Sequence, residues 1–130
     1  MILVDSNIIL DILTDDPKWA QWSISTLEQQ SSILAINPII FSEVSIKIES
    51  IELLNNALSP FKRLDIPYEA AFLAGKAFLY YRKNQGSKAS PLPDFFIGAH
   101  AALLKMPLIT RDVNRYRTYF PTIELIHPKV

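Results

Sequence analysis

Short apolar runs alternate with helix-length segments along this chain, and residues that cap or open helices separate them. Met1-Ile2-Leu3-Val4 is continuously apolar, as suits a strand buried on both faces, and Asp5-Ser6-Asn7 then supply three capping residue types. A short helix is read over 8–13. Asp15-Asp16-Pro17 closes it and opens the next, with Pro17 at a first helical position and Trp19, Trp22, Ile24 and Leu27 at helical spacing. After the break at Ser31-Ser32, residues 33–36 form a second strand. Asn37-Pro38 pairs a cap with a first-turn proline, so a helix runs over 38–47. Further helices cover 51–58 and 67–84, the latter with Ala71, Phe72, Ala74, Phe78 and Leu79 on one face, and a weak strand lies between them at 61–64. Residues 85–93 read as a loop. A helix at 94–105, a strand at 108–110, a short helix or turn at 112–119 and an edge strand at 122–126 complete the chain. Such alternation predicts an α/β fold, a mostly parallel sheet of four or five strands between helical layers. The 130 residues fit one domain spanning 1–130.

Composition narrows the function. With 49% hydrophobic residues the chain buries a core without disulfides, and the absence of cysteine removes any thiolate metal site. Thirteen basic residues balance thirteen acidic ones, so global charge gives no argument for a nucleic-acid partner, although a local basic rim would suffice. The longest apolar stretch, 95–104, contains His100 and is too short to span a bilayer. No basic segment precedes the first apolar run, so no signal peptide is expected. The expected location is the cytoplasm.

Four acids stand where this pattern would gather them. Asp5 ends the first strand and Asp112 follows the fourth, while Glu43 and Asp94 lie near the starts of two apolar helices. Parallel sheets collect functional groups beyond the carboxyl ends of their strands, where strand order reverses. If strands one and four are neighbours, Asp5 and Asp112 share that crevice. Each acid also has an ordinary explanation: Asp5 and Asp112 as caps, Asp94 at the positive end of a helix, Glu43 paired with Lys47 four residues on. Against this, Glu43 sits among Ile39, Ile40, Phe41, Val44 and Ile46, and Asp94 among Leu92, Phe95, Phe96 and Ile97. Carboxylates in such surroundings carry a desolvation penalty unless compensated. A hard divalent cation relieves the repulsion of several carboxylates, and Mg2+ and Mn2+ both favour oxygen ligands.

These segments resemble the PIN-domain ribonucleases, and among them the VapC-type toxins of bacterial toxin–antitoxin pairs. Met1 to Asn7 is similar to the family's first strand and Asp-x-Asn motif, and Phe41-Ser42-Glu43-Val44 to the helix with the second acid. Pro93-Asp94-Phe95-Phe96-Ile97-Gly98-Ala99-His100-Ala101 is similar to the third motif. Leu108-Ile109-Thr110-Arg111-Asp112-Val113-Asn114-Arg115-Tyr116 is similar to the fourth, a strand, Thr-Arg-Asp and an aromatic. The likeness covers the whole chain. Two departures are Met106-Pro107 where the family often has glycine, and Tyr116 where phenylalanine is common. The resemblance implies a PIN-like three-layer α/β/α fold and a metal-dependent endoribonuclease using Mg2+ or Mn2+. It also implies a homodimer neutralised by a cognate antitoxin.

On this reading Asp5 and Asp94 are the principal metal ligands. Glu43 and Asp112 act directly or through water, and Asn7 and Thr110 orient the ligating carboxylates. RNA needs cations near four acids, and Arg111, Arg115, Arg117, Lys83 and Lys88 are the candidates. Tyr80, Tyr81, Tyr116 and Tyr119 are candidates for stacking on bases. His100 is expected to pack in its helix. Trp19 and Trp22 belong to the core or, if exposed, to an interface. The main alternative is a non-catalytic RNA- or protein-binding module. A phosphatase with Asp5 as nucleophile would want an acid where Asn7 stands, and a receiver domain would need extra acids beside its first-strand end and a lysine near the last strand, for which Arg111 is no clear substitute.

Overall fold

In the computed structural model, which describes residues 1–88 and 92–129, five parallel strands form one sheet in the order β3-β2-β1-β4-β5. The strands are β1 (Ile2–Val4), β2 (Leu34–Ile36), β3 (Lys62–Arg63), β4 (Leu108–Ile109) and β5 (Leu125–Ile126), with seven helices between them. These are α1 (Ser6–Leu13), α2 (Ala20–Glu28), α3 (Pro38–Ser45), α4 (Ile51–Ala57), α5 (Tyr68–Lys83), α6 (Pro93–Leu103) and α7 (Val113–Tyr119). The right-handed crossovers usual between parallel strands would send α1–α4 to one face and α5–α7 to the other. In the packing α1 lies against α2 and α3, and α6 against α5, α7 and α3.

The central strands are the most apolar. Leu3 and Val4 of β1 pair with Leu108 and Ile109 of β4, and all four are fully buried. Strand order reverses between these two strands, because the chain moves one way from β1 through β2 to β3 and the other way from β4 to β5. The crevice beyond the ends of β1 and β4 is therefore the place where ligands bind in sheets of this kind.

Several boundaries differ from the sequence expectation. The helix anticipated at Pro17 begins at Ala20: Asp15 takes a positive φ of 50°, and the Asp16 carboxylate accepts from the amides of Lys18 and Trp19, forming a turn first. On α5 the inward face is Ala70, Ala74 and Ala77, and Phe72 and Leu79 are exposed. Small side chains at that spacing let α5 lie close on α6, which overrides the aromatic pattern. Trp19 and Trp22 are half-buried and meet edge to face. The loop expected at 85–93 includes Ala89, Ser90 and Pro91, which lie outside the described residues. No helix among the described residues is long and apolar enough to cross a membrane.

Candidate active site

Asp5 is a helix cap as well as a candidate site residue. Its Oδ1 accepts from the Ser6 amide at 2.8 Å, which starts α1 directly after β1. Its Oδ2 accepts from Thr110 Oγ1 at 2.7 Å, Tyr116 Oη at 3.1 Å and Asn7 Nδ2 at 3.5 Å. Thr110 is the buried residue after β4, and its Oγ1 accepts in turn from the Asp112 amide at 3.0 Å. Asn7 spans both strand ends, since its Oδ1 accepts from the Arg111 amide at 3.3 Å. The ends of β1 and β4 are thus stitched together by side chains as well as by the sheet.

Asp94, the second residue of α6, points its Oδ1 at Tyr116 Oη, 3.4 Å away, and its Oδ2 at Arg115 Nε, 3.5 Å away. Glu43 comes from α3 and is held by Ser6 Oγ, which donates to its Oε1 at 2.8 Å. Among the described residues it forms no ion pair with Lys47. Asp112 is exposed, and its side chain makes no capping bond to α7. Three elements therefore converge on Asp5, and Glu43 and Asp112 flank the pair it makes with Asp94.

The electrostatics agree. Burial pushes the Asp5 carboxyl up to about 7 and the charge of Asp94 adds to this, while the donated bonds oppose it. Burial also lifts Asp94 to about 6, with Asp112 and Glu43 contributing and Arg115 opposing. Tyr116 is buried beside these carboxylates and pushed well above its usual value, so it stays protonated as a donor. The acids feel one another, and Arg115 partly compensates Asp94 while Arg111 feels the charge of Asp5. Among the described residues no three acids or imidazoles stand close enough to hold an ion as they are. The donor set nonetheless fits Mg2+ or Mn2+. It is all hard oxygen, and Mg2+ commonly takes one or two carboxylates and keeps several waters.

The cations divide. Arg115 lies over Tyr81 and Phe95 beside Asp94, with a buried Nη1 that has no hydrogen-bond partner among the described residues. Arg111, expected as an RNA contact, is instead bound bidentately to the buried Asp11 at 2.8 Å through both Nε and Nη2, and stacks on Trp19. Asp11 also accepts from Ser23 Oγ at 2.9 Å, so this guanidinium locks α1 and α2 to the β4 end. Arg117 is exposed and meets His127 at 3.0 Å. Lys83 and Lys88 are exposed at and after the end of α5. Tyr116 cannot stack on bases, because it is fully buried. Its hydroxyl is the site group that sequence reading missed, and only its place in the fourth motif hinted at it. His100 is buried, with Nδ1 at 3.0 Å from Asn37 Nδ2, and joins α6 to the cap of α3.

The PIN domain profile matches residues 2–121. The chain belongs to the PIN-domain family. Solved structures of similar fold include VapBC2 from Rickettsia felis bound to a promoter DNA fragment. That match has 18% identity and a TM-score of 0.73, and covers 99% of this chain and 100% of that one. FitAcB from Neisseria gonorrhoeae matches at 19% identity with a TM-score of 0.73, covering 98% of each chain. A toxin–antitoxin complex from Klebsiella pneumoniae matches at 25% identity and a TM-score of 0.71, covering 99% of this PIN domain and 98% of that chain. No curated protein matches.

Proposed function

We propose that this PIN domain is a Mg2+- or Mn2+-dependent endoribonuclease, the toxin of a toxin–antitoxin pair, acting in the cytoplasm as a homodimer that a cognate antitoxin neutralises. One observation carries the catalytic part. Asp5 from the end of β1 and Asp94 from the start of α6 meet at a single hydroxyl in the switch-point crevice, with little compensating charge. The antitoxin rests on the structural neighbours, which include toxin–antitoxin complexes.

Asp5 and Asp94 would hold the cation, with Glu43 and Asp112 completing the acidic rim directly or through water. When bound, such an ion polarises a phosphoryl oxygen and lowers the pKa of a water. Asp5 Oδ1 carries one hydrogen bond and Oδ2 three, so Oδ1 keeps the freer lone pair. Asn7 and Thr110 fix the Asp5 carboxylate, and Ser6 fixes Glu43. Arg115 is the cation placed to meet a phosphate at the rim, with exposed Lys83, Lys88 and Arg117 further out.

The test is cleavage of structured RNAs in Mg2+ or Mn2+, with and without chelator, beside Asp5→Asn and Asp94→Asn. Cleavage that stops with chelator and in both variants is expected. Chelator-insensitive cleavage, or full activity in both variants, would sink the proposal. The second reading is a non-catalytic RNA- or protein-binding module on the same fold. RNA binding without cleavage under any metal would establish that reading.

A further inference from the structure

Tyr116 is the fourth residue of α7, and its ring is fully buried. Its hydroxyl has one proton and two carboxylates in reach, Asp5 Oδ2 at 3.1 Å and Asp94 Oδ1 at 3.4 Å. These acids come from different elements, and nothing else described bonds to both. We propose that the Tyr116 hydroxyl is a positioning group that holds the Asp5 and Asp94 carboxylates together so that they receive a divalent cation with little rearrangement. The inference rests on the reading of these acids as the metal site.

The physical argument is one of preorganisation. Two carboxylates in a partly dry crevice repel, and without a shared donor their side chains rotate apart. That rotation must be reversed before both can ligate. A neutral donor between them offsets the repulsion without adding a charge that would exclude the ion. Its single proton is shared between Asp5 Oδ2, the nearer acceptor, and Asp94 Oδ1, leaving Asp5 Oδ1 the less bonded oxygen. Groups that orient ligands in this way are worth about 10–100-fold in metal affinity.

Tyr116→Phe removes the hydroxyl and keeps the ring. Tyr119→Phe is the control, since that hydroxyl, on the same helix, bonds to no described residue and its ring packs on Phe95. Mn2+ affinity is read by electron paramagnetic resonance at pH 8, with melting in chelator to verify folding. The expected result is Mn2+ binding roughly 10-fold weaker for Tyr116→Phe and unchanged for Tyr119→Phe. Equal or tighter binding by a folded Tyr116→Phe would overturn the inference alone. A wild-type protein that binds no Mn2+ would overturn it together with the metal-site reading. Should Tyr116→Phe not fold, the proton spectrum of the wild type decides. A slowly exchanging Tyr116 hydroxyl that shifts on adding Mg2+ supports the role, and one that Mg2+ leaves unmoved refutes it.

Discussion

Replacing Asp94 by asparagine separates a metal site from a structural ion pair, because the two predict opposite signs. Asp94 is raised from 3.8 to about 6 in the fold. The folded protein therefore holds a proton between about pH 4 and 6 that the unfolded chain has released. By linkage, wild-type stability falls as pH rises through that window. Two units correspond to at most about 3 kcal/mol, and partial exposure of the side chain reduces this. Asparagine removes this net penalty, in which the opposing 3.5 Å contact with Arg115 is already included. Asp94→Asn should thus be about 2 kcal/mol more stable than wild type at pH 8 in chelator, roughly 8 °C in Tm, and nearly equal at pH 4. Saturating Mg2+ should reverse the order, since wild type gains about 2.7 kcal/mol at a hundred times its Kd. Thermal melts at both pH values, with chelator and with Mg2+, read all four cases. A variant less stable than wild type at pH 8 in chelator would show that Asp94 serves Arg115, and would refute the reasoning.

Three other substitutions, and Arg117→Ala as a control, test neighbouring contacts. Arg111→Ala strands the buried Asp11 carboxylate and should lower stability by about 3 kcal/mol in urea, against less than about 0.5 for exposed Arg117→Ala. Ser6→Ala frees the Glu43 carboxylate, and should slow RNA cleavage about 10-fold while moving stability by no more than about 1 kcal/mol. Gly98→Ala would place a Cβ within 2.4 Å of the Phe120 ring and should destabilise by about 1–3 kcal/mol in the same urea assay, where an unchanged midpoint would show that Phe120 moves freely.

The sheet was legible because its central strands are unbroken apolar runs, and Asp5 and Asn37 mark where they hand over to helices. The neighbouring of β1 and β4, posed in the sequence as a condition, is met by their pairing. Other features depend on partners that only the fold brings close. Asp11 and Arg111 are 100 residues apart, so Arg111 read as a free cation. Tyr116 read as one of four aromatics, and only the turn of α7 against α6 aims its hydroxyl at two acids. On α5 the aromatic positions looked like the inward face, yet alanines take that place because α6 packs so close. Asp15 and Asp16 looked like a boundary, but the extra turn before α2 follows from a left-handed residue that composition does not announce.

The central claim is that the carboxylates around Asp5 and Asp94 form one cation site. Anomalous scattering from crystals grown in Mn2+ tests it most directly. The account predicts a single strong peak within ligand distance, about 2.1 Å, of Asp5 and Asp94 oxygens, and its loss in crystals of Asp5→Asn. Full Mn2+ occupancy elsewhere on the molecule with none beside these two residues would contradict it.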